Sequence, residues 1–123
     1  MSKPTPKSIA LKFVQVINAG NSKELIKLQT EDFTLIDMEG NTYQGRDDWK
    51  DYFTTYPKYK IRIQHILTSG NAIAIIGKTT GSNIPPELEQ KETVLWTAEI
   101  RNNQVAQWRI YSNIEEIKKK AQK

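Results

Sequence analysis

The stretch Lys12-Phe13-Val14-Gln15-Val16-Ile17-Asn18-Ala19-Gly20-Asn21, followed by Leu35-Ile36-Asp37-Met38-Glu39-Gly40, decides the fold. Ile9, Phe13, Val16 and Ile17 recur at helical spacing, so Ser8 to Ala19 reads as an amphipathic helix. Gly20 suits the left-handed residue that ends one. Asn21 caps a short second helix anchored by Leu25, Ile26 and Leu28, with Glu24 three residues on, as in a capping box. Phe33 to Met38 is a strand that delivers one acid, Asp37, to its far end before a Glu39-Gly40-Asn41 turn. Helix, helix, strand and acid in that order predict a cone-shaped α+β domain with a pocket.

Outward from that stretch, Thr42-Tyr43 is a brief extended piece. Gly45 opens a third helix running to about Thr55, with Asp47 and Asp48 in the first turn, where the helix dipole favours them. Trp49, Tyr52, Phe53 and Tyr56 give this helix an aromatic face. The remainder is sheet. Tyr59, Ile61, Ile63, His65 and Leu67 alternate with Lys60, Arg62 and Gln64, the period of a half-buried strand. Ser69-Gly70-Asn71 turns the chain into Ala72–Thr80, and 81–90, with Pro85-Pro86, reads as a loop. Lys91–Arg101 and Gln104–Ser112 are joined through Asn102-Asn103, and Asn113 to about Ala121 reads as a short helical tail. The domain is expected over 8–114, between a flexible N-terminal tail (1–7) and a basic C-terminal tail (115–123). Long strands twist, so this sheet should curl around the helices instead of lying flat.

The 123 residues favour one domain, large enough to bury a core without staples. The chain has no cysteine and one histidine, which excludes disulfides, thiolate metal sites and a multi-histidine site within one chain. No metal or cofactor is expected. Six of the 18 basic residues and two of the 14 acidic ones sit in the terminal segments, leaving 12 of each in the body. The net charge of +4 therefore belongs to the tails, and no basic stripe points to nucleic acid. No secretory signal or apolar run of membrane-spanning length is present, so a cytoplasmic protein without a membrane partner is expected.

The ordered set of Phe13 to Gly20, Glu31-Asp32-Phe33, Asp37 to Gly40, Gly45 before Trp49 to Phe53, and Gln107-Trp108-Arg109-Ile110-Tyr111 resembles the nuclear transport factor 2-like superfamily. The likeness is to its SnoaL-like and ketosteroid-isomerase-like branch and runs from about Ile9 to Ser112. It implies a cystatin-like α+β fold: a curved antiparallel sheet wrapped around three N-terminal helices. It does not imply one function, because the fold hosts enzymes, transport factors and binding modules. The resemblance puts Asp37 where ketosteroid isomerase keeps its general base. It puts Phe13 and Trp96 where that enzyme keeps the Tyr and protonated Asp of its oxyanion hole. Phe has no hydroxyl and Trp offers only an indole N–H, so steroid isomerisation by that mechanism is rejected.

Asp37 is the best candidate for chemistry, as a general base with a pKa raised by desolvation. The alternative is an Asp that hydrogen-bonds its own turn. His65, the only histidine, is a second candidate, and alternation puts it on the face of Ile61, Ile63 and Leu67. A core or interface histidine is the favoured reading there. Phe13, Ile17, Trp49, Tyr52, Phe53, Tyr59, Lys78, Trp96 and Trp108 are the expected ligand-binding residues. Lys78 is in phase with Ile76, and Glu92 with Val94 and Trp96; the resemblance puts that phase on the concave side near the cone mouth, where the two could pair, with an ordinary cross-strand ion pair as the simpler reading. The expected function is binding of a small apolar or aromatic molecule in a hydrophobic cone. Its enzymatic form would be a cofactor-free isomerase, cyclase or dehydratase step; the alternative is a non-catalytic binding or interaction module with a filled cone. A homodimer is expected through the strand phase carrying Ile73, Ile75, Thr93, Leu95, Thr97, Val105 and Tyr111.

Overall fold

The computed structural model describes residues 4–44 and 48–121, the side chains of 48–50 and 121 excepted. The chain runs α1 (Pro6–Ala19), α2 (Ser22–Lys27), β1 (Gln29–Ile36), β2 (Thr42–Gln44), α3 (Asp48–Thr55), β3 (Lys60–Ser69), β4 (Ala72–Thr80), α4 (Pro86–Glu89), β5 (Val94–Arg101), β6 (Gln104–Ser112) and α5 (Ile114–Ala121). Helix α1 begins two residues before the pattern suggested. Pro6 supplies a preset φ at the first helical position, and Thr5 and Ser8 form a reciprocal capping box. Gly20 closes the helix at φ 66°, and the Asn21 side chain accepts from the Glu24 N–H at 3.2 Å to start α2. Gly45 and Asp47, expected to open α3, lie outside the described residues. The expected loop after β4 contains one helical turn, α4, started by Pro86 at N1.

All six strands form one sheet in the order β2-β1-β6-β5-β4-β3, antiparallel except where β1 meets β6. The sheet is curved and open, and the first helices pack in its hollow. The Asn18 side chain fixes α1 to the sheet like an extra strand residue. Its amide donates to the Ile61 carbonyl at 3.0 Å, and its oxygen accepts from the Ile61 N–H at 2.7 Å. The core is continuous from Ile9, Phe13 and Ile17 of α1 through Phe33 to Ile73, Ile75, Trp96, Val105 and Trp108. Among the described residues, no helix is long and apolar enough to cross a membrane.

Two bulges set which side chains face inward. The β3–β4 register slips between Ile63 and His65. Ile61, Ile63 and Ile66 then face the core, while His65 is exposed and Leu67 is 63% exposed. The expected common face of His65 with Ile61 and Ile63 is therefore corrected. The β5–β6 register slips between Glu99 and Ile100, so Val105 sits opposite Ile100 and both are buried. The face expected for dimerisation is corrected too. Ile75 sits opposite Trp96, and residues directly opposed across an antiparallel pair share a face. Ile73, Ile75 and Val105 thus belong to the core, while Leu95, Thr97 and Tyr111 stay on the outer side.

Candidate functional site

The closed end of the cone is filled. Phe13 packs at 4.8 Å from Trp108 and 6.2 Å from Phe33, ring centre to ring centre, and Trp108 stacks on Trp96 at 6.5 Å. Phe13, Ile17 and Trp108 are at most 1% exposed and do not reach open space. They are core residues, not ligand contacts. The cone is open on the other side of Trp96, where a cavity of about 710 Å³ lies between α3, the end of β1, the 82–84 segment and the inner face of β5 and β6. Of the sequence-expected ligand residues, Tyr52, Tyr59 and Trp96 line it. Phe53 packs against the core beside it, and the Trp49 side chain lies outside the described residues.

Three tyrosines form one wall. Tyr52 of α3 and Tyr56, the residue just past its end, lie four residues apart with ring centres 4.8 Å apart. Tyr59 meets Tyr52 edge-on at 5.1 Å. Burial, then the neighbouring Tyr56, pushes the Tyr52 phenol up to about 12, and burial raises Tyr59 as well. Both are therefore neutral hydrogen-bonding groups at physiological pH.

Asp37 stands at the rim, and its carboxylate is already engaged. Oδ1 accepts from the N–H groups of Glu39 and Asn41, both at 2.9 Å. Oδ2 accepts from the Tyr43 hydroxyl at 3.0 Å and the Asn41 amide at 3.3 Å. The expected rise in its pKa does not occur. Desolvation pushes the carboxyl up, but the hydrogen bonds from Asn41, Tyr43 and Glu39 together outweigh it and hold the group below the usual carboxylate range. This is the turn-organising Asp that stood as the alternative reading. Asp37→Ala should therefore cost about 1–2 kcal/mol in urea unfolding, and Asp37→Asn less. The depressed carboxyl stabilises the fold above its unfolded pKa and loses that contribution as pH falls through its lower folded value. The gap between wild type and Asp37→Ala should be fullest near neutrality and close in strong acid.

The acid that enters the cavity from its floor is Glu92, 2% exposed. Its carboxylate accepts from the Ser112 hydroxyl, which also accepts from the Ile114 N–H at 3.0 Å and so ties the site to the start of α5. Burial raises its pKa, with the Ser112 hydrogen bond opposing. The suggested side-chain ion pair with Lys78 is absent. The Lys78 ammonium instead donates to the main-chain carbonyls of Gln90 at 3.1 Å and Glu92 at 2.9 Å. Lys78 faces away from the cavity because Gly77 and Thr79, not Ile76, carry the inward phase of β4.

A second acid, Glu89, escaped the sequence reading. It is 5% exposed and accepts from the Thr79 hydroxyl at 2.9 Å, the Ser82 N–H at 3.1 Å and the Ser82 hydroxyl. It pins the 82–84 segment over the cavity, and nothing in the pattern of a Pro-rich loop marks it. The indole N–H of Trp96 is buried on the cavity wall and meets no acceptor among the described residues. No group of three His, Cys, Asp or Glu side chains suited to a metal occurs among the described residues.

The SnoaL-like domain family matches residues 10–110. No curated protein matches the chain. Among solved structures, an NTF2-like protein of unknown function from Cytophaga hutchinsonii superposes with a TM-score of 0.76 at 14% identity, covering 94% of this chain and 96% of that one. A proposed SnoaL-like polyketide cyclase from Shewanella putrefaciens gives 0.76 at 14% identity, over 98% and 88%. A proposed ketosteroid isomerase from Kribbella flavida gives 0.70 at 17% identity, over 87% and 76%. Such low identities establish the fold alone.

Proposed function

The chain belongs to the SnoaL-like domain family, and from that premise we propose that it is a small-molecule-binding protein whose ligand occupies the cavity outside Trp96. The observation that carries this reading is a buried polar group left open on the cavity wall: the Trp96 N–H meets no acceptor among the described residues, and it lies on the same wall as the Glu92 carboxyl, held by the Ser112 hydroxyl. Buried polar groups are rarely left unsatisfied without a reason, and a few polar groups on an aromatic wall are what a ligand pocket requires.

A second reading is a cofactor-free isomerase, cyclase or dehydratase step. One observation favours it: Glu92 is a carboxyl inside the cavity whose pKa burial raises, with the Ser112 hydrogen bond opposing, the direction that suits an acid–base group. The proton-transfer group is then Glu92, because Asp37 has no free lone pair in a useful direction and a depressed basicity.

We also propose a homodimer, through a corrected outer face. His65, Ile76, Leu95 and Tyr111 form one row across β3, β4, β5 and β6. With Leu67 beside it, the row presents partly exposed apolar surface on the side of the sheet away from the core. Native mass spectrometry of protein purified from cell extract tests both proposals. The expected spectrum is a dimer carrying an added mass that organic solvent releases. A monomer at tens of micromolar protein would count against the dimer. A bare mass, with no thermal shift from any of a panel of flat aromatic compounds, would count against the ligand.

A further inference from the structure

We propose that the cavity selects organic cations: its ligand is an amine or quaternary ammonium carried on a flat apolar body. The inference rests on the cavity being the ligand site and names the class of ligand. Its first support is the charge of the wall. Four of the described lining residues are acids, Asp37, Glu39, Asp51 and Glu92, and none is Lys, Arg or His. Residues 8–114, the body that carries the cavity, are balanced, 12 basic against 12 acidic. A lining that merely sampled such a body would include basic side chains.

The second support is independent and lies at the floor. Glu92 is a buried carboxyl with no cationic partner. The ion pairs formed by the described residues are Lys27–Glu24, Arg101–Asp32 and Lys118–Glu115. The nearby Lys78 ammonium is committed to two carbonyls. The charges of Lys78 and Lys118 favour the ionised form of Glu92 without a salt bridge to it; a buried carboxylate with no cation in contact is costly, and a ligand cation that entered beside it would lower that cost.

The third support is the tyrosine wall. The Tyr52 ring packs against both Tyr56 and Tyr59, and the three rings offer π faces to a cation already drawn by the acids. Among the described residues, an anionic ligand would meet four carboxyl groups and no donor cation. A purely apolar one would leave Glu92 as it stands.

Three probes of one shape test the idea by calorimetric titration of the intact protein. They are benzyltrimethylammonium, its neutral carbon analogue neopentylbenzene, and the anion phenylmethanesulfonate. The cation should bind about tenfold or more tighter than the neutral analogue, and the anion should show no measurable binding. Glu92→Gln, nearly isosteric and still able to meet Ser112, should lower affinity for the cation about tenfold and leave the neutral analogue unchanged. Asp51→Asn, at the exposed rim on α3, should lower cation affinity by a smaller factor, and it serves where Glu92→Gln does not fold. Neutral or anionic probe binding as tightly as the cation overturns the cation preference and leaves the pocket reading standing. An unaltered preference in both variants overturns it equally. Failure of all three probes to bind overturns the pocket reading and this inference with it.

Discussion

Trp108→Ala is expected to lower stability by about 3–5 kcal/mol, the range for truncating a large buried aromatic. Trp108 is 1% exposed and sits where every inner layer meets. Its ring centre is 4.8 Å from Phe13 of α1 and 6.5 Å from Trp96 of β5. Its main chain pairs with Leu35 of β1 on one side and Ala98 of β5 on the other. Those strands are held by their hydrogen bonds and cannot collapse into the space an alanine would leave, so the cost of a cavity adds to the lost transfer energy. Against a total of about 5–15 kcal/mol for a domain of this kind, the loss is large. Denaturant melts should show a lower midpoint at an unchanged slope. A loss under about 1 kcal/mol would mean that the closed end of the cone is not the packed plug described here.

The division of the cone into a plug and a cavity is where sequence reading stopped short. The helices, hairpins and late strands were legible because each is written in local signals: the 3.6-residue spacing of Ile9, Phe13 and Ile17, the Asn21–Glu24 cap, the turns at Gly70 and Asn102-Asn103. Composition could say that Phe13, Tyr52, Trp96 and Trp108 share an interior. It could not say which of them touch one another and which face space, because that depends on the sheet's curvature, a sum over all six strands.

Phase failed for a related reason. A period of two predicts faces only while the ladder is unbroken, and an added residue at a bulge inverts everything beyond it. His65 was carried outward by the slip after Ile63 and Val105 inward by the slip after Glu99. Glu92 lies on the concave side with Val94 and Trp96, as the family resemblance implies, but the suggested pairing with Lys78 does not form. Lys78 lies on the other face of β4, and its ammonium reaches main-chain carbonyls there. For Asp37 the position was legible and the state was not. Both oxygens are consumed by Glu39, Asn41 and Tyr43, so a strand-end acid became a turn anchor.

Gly77→Ala is the second substitution expected to act strongly, although Gly77 sits in the middle of a strand with ordinary backbone angles. It pairs with Ile63 on β3 and Val94 on β5 and points along the inner phase with Ile75 and Thr79. A Cβ there would stand 2.1 Å from the Arg62 carbonyl oxygen and 3.3 Å from the Ile63 Cα. The obstacle is backbone, so no side-chain rotation relieves it. Glycine at this position lets β3 fold closely over β4 immediately before the bulge at Ile63 and His65, as an interior strand glycine often does where two backbones approach. Adding a methyl group must push β3 outward, strain the bulge, and loosen the contacts of Ile61 and Asn18 that tie the sheet to α1. The expected cost is about 2–3 kcal/mol for alanine, and more for valine, whose branched side chain meets the same wall. Thermal and urea unfolding of the two variants measures it. Because Tyr59 leads into β3 and forms part of the tyrosine wall, displacement of this strand should also weaken binding of a cavity ligand. An alanine variant within about 0.5 kcal/mol of wild type would show that β3 shifts freely, and that the tight curl of the sheet over the cavity is not fixed by this glycine.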